Sequence, residues 1–142
     1  MNQGERKTVL YWDASAILSA LIKDTWSAEA QNWAHREGVH FLSSLAYAEV
    51  MAVLFRMKRE RMMAEVLVEA ALETFEKGPW RRLYLGPTWV LMAELSKQWP
   101  LRGADLWHLS TAKSVSEHLP DLKVLTFDTR LKTAAQGEGI GL

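Results

Sequence analysis

Residues 7–13 read KTVLYWD, and this stretch decides the fold. Its β-branched and aromatic side chains predict a short buried strand, and the strand ends at a carboxylate, Asp13. Residues 14–23 follow with Ala, Ile and Leu at close spacing, which predicts a helix. Residues 122–128 repeat the form: LKVLTFD is an apolar run ending in Asp, followed by another predicted helix. A strand that leads directly into a helix, near both ends of the chain, is typical of βα units.

The segment between these two stretches alternates in the same way. Two further strands are predicted, over residues 39–42 and 80–85, the second of them short and weak. Predicted helices cover residues 26–36, 44–58, 60–77, 87–99, 104–118 and 128–136, with Thr25 capping the first and Ser43 or Ser44 the second. This alternation predicts an α/β domain: a parallel sheet of four or five strands with helices on both faces. Residues 139–142 could add an edge strand, and residues 1–6 are expected to be a flexible tail.

Length and composition set limits on the class of protein. The chain has 142 residues and a mass of 16.2 kDa, which fits a single domain spanning residues 1–142. It contains no cysteine, so disulfides, thiolate zinc sites, iron–sulfur clusters and a cysteine nucleophile are excluded. The absence of a signal peptide and of a membrane span favours the cytoplasm. A formal charge of zero argues against nonspecific coating of nucleic acid.

Asp13 and Asp128 follow predicted strands, so in a parallel sheet both lie at the carboxyl edge, where α/β proteins place their chemistry. The alternative is that each only caps the helix that follows. A capping box needs Glu or Gln three residues on, and Ala16 and Leu131 stand at those positions. Both interpretations remain open for each residue.

Two further acids lie on predicted helices. Glu49 is one of two charges in LAYAEVMAVLFRM, residues 45–57, and a carboxylate on an apolar face requires an ionic partner or a metal; a buried pair with an Arg is the alternative. Asp105 lies in ADLWHLSTA, where its charge also favours the first turn of a helix. His108, one turn later, is more typical of a structural hydrogen bond than of a metal ligand, because no second His is nearby.

Four gathered carboxylates, without cysteine or a histidine pair, describe a hard-oxygen site for Mg²⁺ or Mn²⁺. Their mutual repulsion requires a cation if all four are to ionise. The matching chemistry is metal-assisted hydrolysis of a phosphodiester. Without these four acids the chain has an excess of four positive charges, which could bind a phosphate backbone around an acidic centre.

At this point the chain resembles a PIN-domain nuclease, in particular the VapC-type toxins of prokaryotic toxin–antitoxin pairs. Four motifs stand in family order from about Val9 to Gly139, and the resemblance rests on all four together: VLYWDASAIL, SSLAYAEV, LRGADLWHLSTA and VLTFDTRLKTAA. The family's acidic quartet corresponds to Asp13, Glu49, Asp105 and Asp128. Ser15 matches its small hydroxyl residue two positions after the first acid, and Thr126 is a similar residue before the last.

The resemblance implies a flavodoxin-like order of parallel strands and Mg²⁺- or Mn²⁺-dependent endonuclease action on RNA. We expect Asp13 and Asp105 to bind the metal directly, with Asp128 as a further ligand and Glu49 as a ligand or as the group that orients the attacking water. Phosphate contacts are expected from basic residues near the acids in sequence, namely Arg102, Arg130 and Lys132.

The resemblance also implies a homodimer and a small inhibitory antitoxin. The predicted helices over residues 44–77 are more apolar than a layer over one sheet face needs. Their side chains expected to be exposed, and so available to a partner, are Met51, Leu54, Phe55, Met62 and Met63.

Other functions are weaker matches. A haloacid-dehalogenase-like phosphatase needs a second Asp two residues after the first, where Ser15 stands. A receiver domain needs an acidic pair near the first strand and an Asp after a central one, and both are lacking. A non-catalytic PIN scaffold and a stand-alone PIN nuclease of RNA processing remain open; the first is expected to have lost an acid, and none is missing.

Overall fold

The computed structural model describes residues 7–142, so the predicted tail at residues 1–6 lies outside the described part. The strands are β1 (Thr8–Trp12), β2 (Gly38–Ser43), β3 (Trp80–Leu83) and β4 (Lys123–Leu125). The helices are α1 (Ala14–Leu21), α2 (Ser27–Ala34), α3 (Ser44–Arg59), α4 (Glu65–Lys77), α5 (Trp89–Gln98), α6 (Gly103–Ser116) and α7 (Thr129–Gly137).

The four strands form one parallel sheet in the order β3-β2-β1-β4, which confirms the predicted α/β class. The order differs from the flavodoxin order, 2-1-3-4-5, because the third strand lies outside β2 rather than next to β1. The chain runs outward from β1 to β3 and then returns to the other side of β1. The switch in strand order therefore falls between β1 and β4, the two strands that Asp13 and Asp128 follow.

The helices divide between the two faces of the sheet. Helices α1 to α4 connect strands that progress in one direction, and they pack on the face that buries Leu10 and Trp12. Helices α5 to α7 accompany the return to β4 and pack on the face that buries Tyr11 and Val124. Right-handed crossovers explain this division, because a reversal of direction moves the connecting helices to the opposite face.

The predicted α3 was correct in extent but not in its buried face. Ser43 caps the helix, its Oγ accepting a hydrogen bond from the amide of Ala46 at 3.1 Å. Ala46, Val50 and Leu54 are the residues that α3 buries completely, so the expectation that Leu54 is exposed was wrong. Met51 and Met63 are also partly buried against this core, whereas Phe55 and Met62 are exposed.

Several boundaries differ from the sequence prediction. Thr25 does not cap α2: Trp26 occupies the N-cap position and its side chain makes no capping bond. Helix α4 begins at Glu65, not at residue 60, because the chain turns at Arg61, which has a positive φ of 52°. The tail forms an isolated bridge between Gly141 and Val124 instead of a strand. Within residues 7–142, no helix has the length and apolar character needed to cross a membrane.

Candidate active site

Asp13 is the most constrained of the four acids. It directly follows β1, its side chain is 4% exposed, and Oδ1 accepts hydrogen bonds from the amide of Ala16 at 2.9 Å and from Ser15 Oγ at 2.7 Å. Oδ2 accepts one from Thr126 Oγ1 at 2.5 Å. Burial raises the pKa of Asp13, and these three donors oppose the rise because they stabilise the charged form.

Ser15 and Thr126 join the ends of β1 and β4. Thr126 Oγ1 also accepts a hydrogen bond from the amide of Asp128 at 3.1 Å, and Ser15 Oγ accepts one from the amide of Phe127 at 3.3 Å. The two hydroxyls therefore fix both Asp13 and the loop that presents Asp128. This is the position that a supporting role, as implied by the resemblance, requires.

Asp128 stands at the N-cap of α7, where Oδ1 accepts a hydrogen bond from the amide of Leu131 at 3.0 Å. Both strand-end acids therefore act as helix caps, the alternative that the sequence left open, even though neither has a capping box. Capping engages Oδ1 of Asp128 and leaves its second oxygen for another ligand. Capping and metal binding are thus compatible at this residue.

Within residues 7–142, the partner of Glu49 is a histidine and not an arginine. His108, which is buried, places Nε2 2.7 Å from Glu49 Oε1, and Nδ1 lies 2.7 Å from Tyr11 Oη. A carboxylate only accepts hydrogen bonds, so Nε2 carries a proton, and in the neutral ring the Tyr11 hydroxyl donates to Nδ1. Helices α3 and α6, which pack on opposite faces of the sheet, thereby meet over its carboxyl edge.

Glu49 was expected to lie on an apolar helical face, but its side chain is 35% exposed. Glu49 lies at the border of the buried face. Sequence spacing placed Asp105 and His108 on one turn, but nothing in it connected His108 with Tyr11 and Glu49, because that contact depends on how the two helix layers meet.

Asp105 lies in the first turn of α6 and is partly buried. Burial raises its pKa, and the negative charges of Asp128, Asp13 and Glu49 raise it further, while His108 partly offsets them. No group within residues 7–142 is recorded as donating a hydrogen bond to its carboxylate. The three other acids all act electrostatically on Asp105, so the structure brings the predicted quartet into one electrostatic neighbourhood.

The donor set fits a hard divalent cation. Oxygen ligands from Asp and Glu suit Mg²⁺ or Mn²⁺, and a cation would relieve the repulsion that raises the pKa of Asp105. In the part of the chain that the structure describes, however, no three His, Asp or Glu side chains form a ready-made coordination shell. The fit therefore rests on the chemistry and charge of the donors.

The basic residues predicted to contact phosphate are all exposed. Arg102 immediately precedes α6, three positions before Asp105. Arg130 and Lys132 lie in the first turn of α7, next to Asp128. All three therefore flank the acids along the chain and are open to solvent. Exposure alone does not distinguish a phosphate contact from an ordinary surface charge.

Comparisons with known proteins identify the family of the chain. Over 134 residues the chain is 33% identical to Ribonuclease VapC45 and to Ribonuclease VapC49, from two strains of Mycobacterium tuberculosis, and the match covers 92% of each chain. The crystal structure of PAE2754 from Pyrobaculum aerophilum superposes with a TM-score of 0.61 at 18% identity, covering 94% of this chain and 90% of that one, which shows a shared fold. The family model for the PIN domain matches residues 10–137. The chain therefore belongs to the PIN domain family.

Proposed function

We propose that this protein is a divalent-metal-dependent endoribonuclease that hydrolyses RNA phosphodiester bonds in the cytoplasm. The observation that supports this most is the gathering of the acids at one edge of the sheet: Asp13 and Asp128 follow the adjacent strands β1 and β4, and His108, one turn after Asp105 on α6, contacts Glu49 of α3. Clustered carboxylates repel one another and so destabilise a fold, whereas a nuclease can use them to bind a metal ion. The relatives named as ribonucleases support RNA as the substrate.

Each acid has a distinct part in this proposal. Asp13 and Asp105 would hold Mg²⁺ or Mn²⁺, with the free oxygen of Asp128 as a further ligand. The chemistry that the cation supplies when bound is Lewis-acid activation of phosphodiester hydrolysis. Glu49 keeps Oε2 available because His108 holds Oε1, so it can ligate the metal or orient the attacking water and accept its proton.

The test is cleavage of single-stranded RNA by the purified protein in Mg²⁺, in Mn²⁺ and in EDTA. We expect cleavage with either metal and none in EDTA. Asp105→Asn should abolish cleavage and keep the fold, because no hydrogen bond of Asp105 is lost. Glu69→Gln removes an exposed carboxylate on α4 and serves as the control that should cleave normally.

Full activity in EDTA, or in Asp105→Asn, would refute the mechanism. If wild type binds RNA but cleaves nothing with either metal, the chain is a non-catalytic PIN scaffold. Sequencing of RNA ends from cells that express wild type or Asp105→Asn would identify the cleaved RNA and the position of cleavage.

We further propose that the protein is the toxin of a VapBC-type pair and forms a homodimer. The resemblance to VapC-type toxins supports an antitoxin partner, and exposed apolar side chains supply a surface for it. A groove of about 650 Å³ runs between α4 and the α1–α2 pair, lined by residues that include Leu21, Ile22, Met63 and Leu67. An apolar segment of the antitoxin would pack there and shield Leu67, which is 56% exposed.

Two measurements address these assemblies. Light scattering should give a dimer mass, and a monomer of 16.2 kDa at micromolar concentration would reject the homodimer. Co-expression with the product of the adjacent upstream gene should relieve growth inhibition and yield a complex that Leu67→Glu disrupts. If there is neither relief nor a complex, the protein is a stand-alone PIN nuclease.

A further inference from the structure

A second pocket opens at the carboxyl ends of β2 and β3, outside the acidic quartet. It has a volume of about 230 Å³, and its walls include Ser44, Tyr47, Arg82, Leu83 and Tyr84. Tyr84 lies at its rim and is 87% exposed, so a large aromatic ring remains in solvent with few contacts of its own.

A neighbouring helix holds two of the walls in place. Glu76 of α4 accepts a hydrogen bond from Tyr47 Oη at 3.2 Å and lies 3.6 Å from Nη2 of Arg82. The Tyr47 ring stacks on Phe75, with ring centroids 5.4 Å apart, and the guanidinium of Arg82 lies 5.5 Å from the centre of the Tyr47 ring. These contacts place Tyr47 and Arg82, but not Tyr84, before any ligand arrives, which lowers the entropic cost of binding at those two walls.

The register of the sheet gives the distance from this pocket to the acids. Trp12 pairs with Leu42, and Ser43 pairs with Leu83, so Asp13 is level with both of the strand ends that bear the pocket. Neighbouring strands lie about 4.8 Å apart, which puts these strand ends roughly 5 and 10 Å from the backbone of Asp13. The pocket and the acids thus open on one edge of the sheet.

We infer that this pocket binds a nucleobase of single-stranded RNA, a nucleotide or two from the bond that is cut. Aromatic rings stack with any base, and an arginine beside them contacts the adjoining phosphate, a combination that recurs in proteins that bind single strands. Tyr84 is the stacking residue, Tyr47 forms the wall beside it, and Arg82 contacts phosphate. The inference deepens the proposed function and rests on it, because it assigns a base subsite to the same RNA.

A second copy of this chain is the competing occupant. Leu85, Trp89 and Val90 are exposed close to Tyr84 in the sequence, and such a patch could serve self-association. The lining of the pocket is largely apolar, which suits either occupant. The cation of Arg82 beside the Tyr47 ring favours RNA, because it can pair with a phosphate next to a base. Self-association is therefore an outcome that the experiment must detect.

The experiment measures fluorescence anisotropy of a labelled single-stranded RNA dodecamer of mixed sequence and of an abasic ribose–phosphate chain of equal length. EDTA is present throughout, so that cleavage cannot occur. Tyr84→Ala should weaken binding of the base-bearing RNA by about tenfold and leave binding of the abasic chain unchanged. Tyr84→Phe should bind as wild type does. Arg82→Gln should weaken both ligands and lower the salt slope by about one. Trp89→Ala, an exposed aromatic outside the pocket, is the matched control and should match wild type.

Three results would overturn the inference. One is no binding of the base-bearing RNA by wild type; another is unchanged or equally reduced binding of both ligands by Tyr84→Ala. The third is a fall in mass from dimer to monomer in Tyr84→Ala and Trp89→Ala, which would assign the surface to a second copy. If wild type shows metal-dependent cleavage and Tyr84→Ala binds RNA normally, the base subsite is rejected and the proposed nuclease function stands. Base-specific binding through Tyr84 without any cleavage supports the pocket and rejects the nuclease.

Discussion

Asp13 and Asp105 belong to the same acidic cluster, but they differ in burial and in hydrogen bonding. Asp13 is 4% exposed and accepts three hydrogen bonds, from the amide of Ala16 and the hydroxyls of Ser15 and Thr126. Asp105 is more exposed, is recorded with no hydrogen-bond donor within residues 7–142, and is subject to the repulsion of three other carboxylates. One acid is built into the fold by three hydrogen bonds, and the other receives none from residues 7–142.

The contrast separates stability from function within one site. Replacing Asp13 changes the frame that joins β1, α1 and β4, whereas replacing Asp105 removes a charge that the frame does not use. A loss of activity in Asp13 variants alone would therefore be ambiguous, because it could reflect unfolding. Asp105 provides the cleaner test of chemistry, and the pair together shows how much of each effect is structural.

The largest expected effect is that of Asp13→Ala on folding. This change removes the N-cap bond to the amide of Ala16, worth about 1 kcal/mol, and leaves the hydroxyls of Ser15 and Thr126 without their acceptor, at about 1–3 kcal/mol for a group that water cannot reach. We expect a loss of roughly 3 kcal/mol in the free energy of unfolding, measured by urea denaturation. Asp105→Ala, measured beside it in EDTA, should lose almost nothing; equal losses would remove the contrast.

His108 offers the next largest effect, because it holds Glu49 from the opposite helix layer. Outer hydrogen-bond partners of metal-site groups are typically worth about 10–100-fold in activity, so His108→Ala should reduce cleavage by that factor. Tyr11→Phe removes the hydroxyl that contacts Nδ1 and should have a smaller effect of the same kind. The cleavage rate and the Mn²⁺ concentration that gives half of the maximal rate are both measured. If His108→Ala lowers thermal stability but changes neither of these quantities, His108 has only a structural role.

The next prediction concerns the exposed basic residues at the border of the site. Each true phosphate contact among Arg102, Arg130 and Lys132 should, when changed to Ala, weaken RNA binding and reduce the slope of log affinity against log salt by about one. The expected change in affinity near physiological salt is modest. Three unchanged slopes would show that these residues are solvated surface charges, and Lys97, an exposed residue of α5, is the control position.

The smallest effect is a gain in stability. A raised pKa means that the ionised carboxylate of Asp105 costs folding free energy at neutral pH. In EDTA, Asp105→Asn should therefore unfold at a slightly higher urea concentration than wild type. Added Mn²⁺ should stabilise wild type and leave the variant nearly unchanged. If Asp105→Asn is less stable than wild type in EDTA, the claim that the other acids repel Asp105 is contradicted.

The sequence predicted the parallel sheet well because strands and acids are local signals. The runs ending at Asp13 and Asp128 are short, apolar and followed by helical patterns, so their placement at one edge follows from the parallel arrangement. The capping interpretation and the functional one could not be separated, and the structure shows that capping holds at both residues.

Contacts between layers could not be predicted in the same way. Glu49 was selected for an apolar face that the structure places elsewhere on α3, and an ion pair with an Arg was the alternative to a role in metal binding. His108 reaches Glu49 only because α3 and α6 converge across the edge of the sheet, and the pocket between Tyr47 and Arg82 depends on how α4 packs beside β3. Such contacts join residues far apart in the chain, and hydrophobic periodicity does not encode them.

The central claim is that the acids form a divalent-cation site that depends on Asp105, and calorimetric titration of Mn²⁺ tests it most directly. Wild type and the Glu69→Gln control should bind Mn²⁺ with the same affinity, and Asp105→Asn should bind it at least about tenfold more weakly while remaining folded. Equal affinity in wild type and Asp105→Asn, or no binding by wild type, would contradict the account.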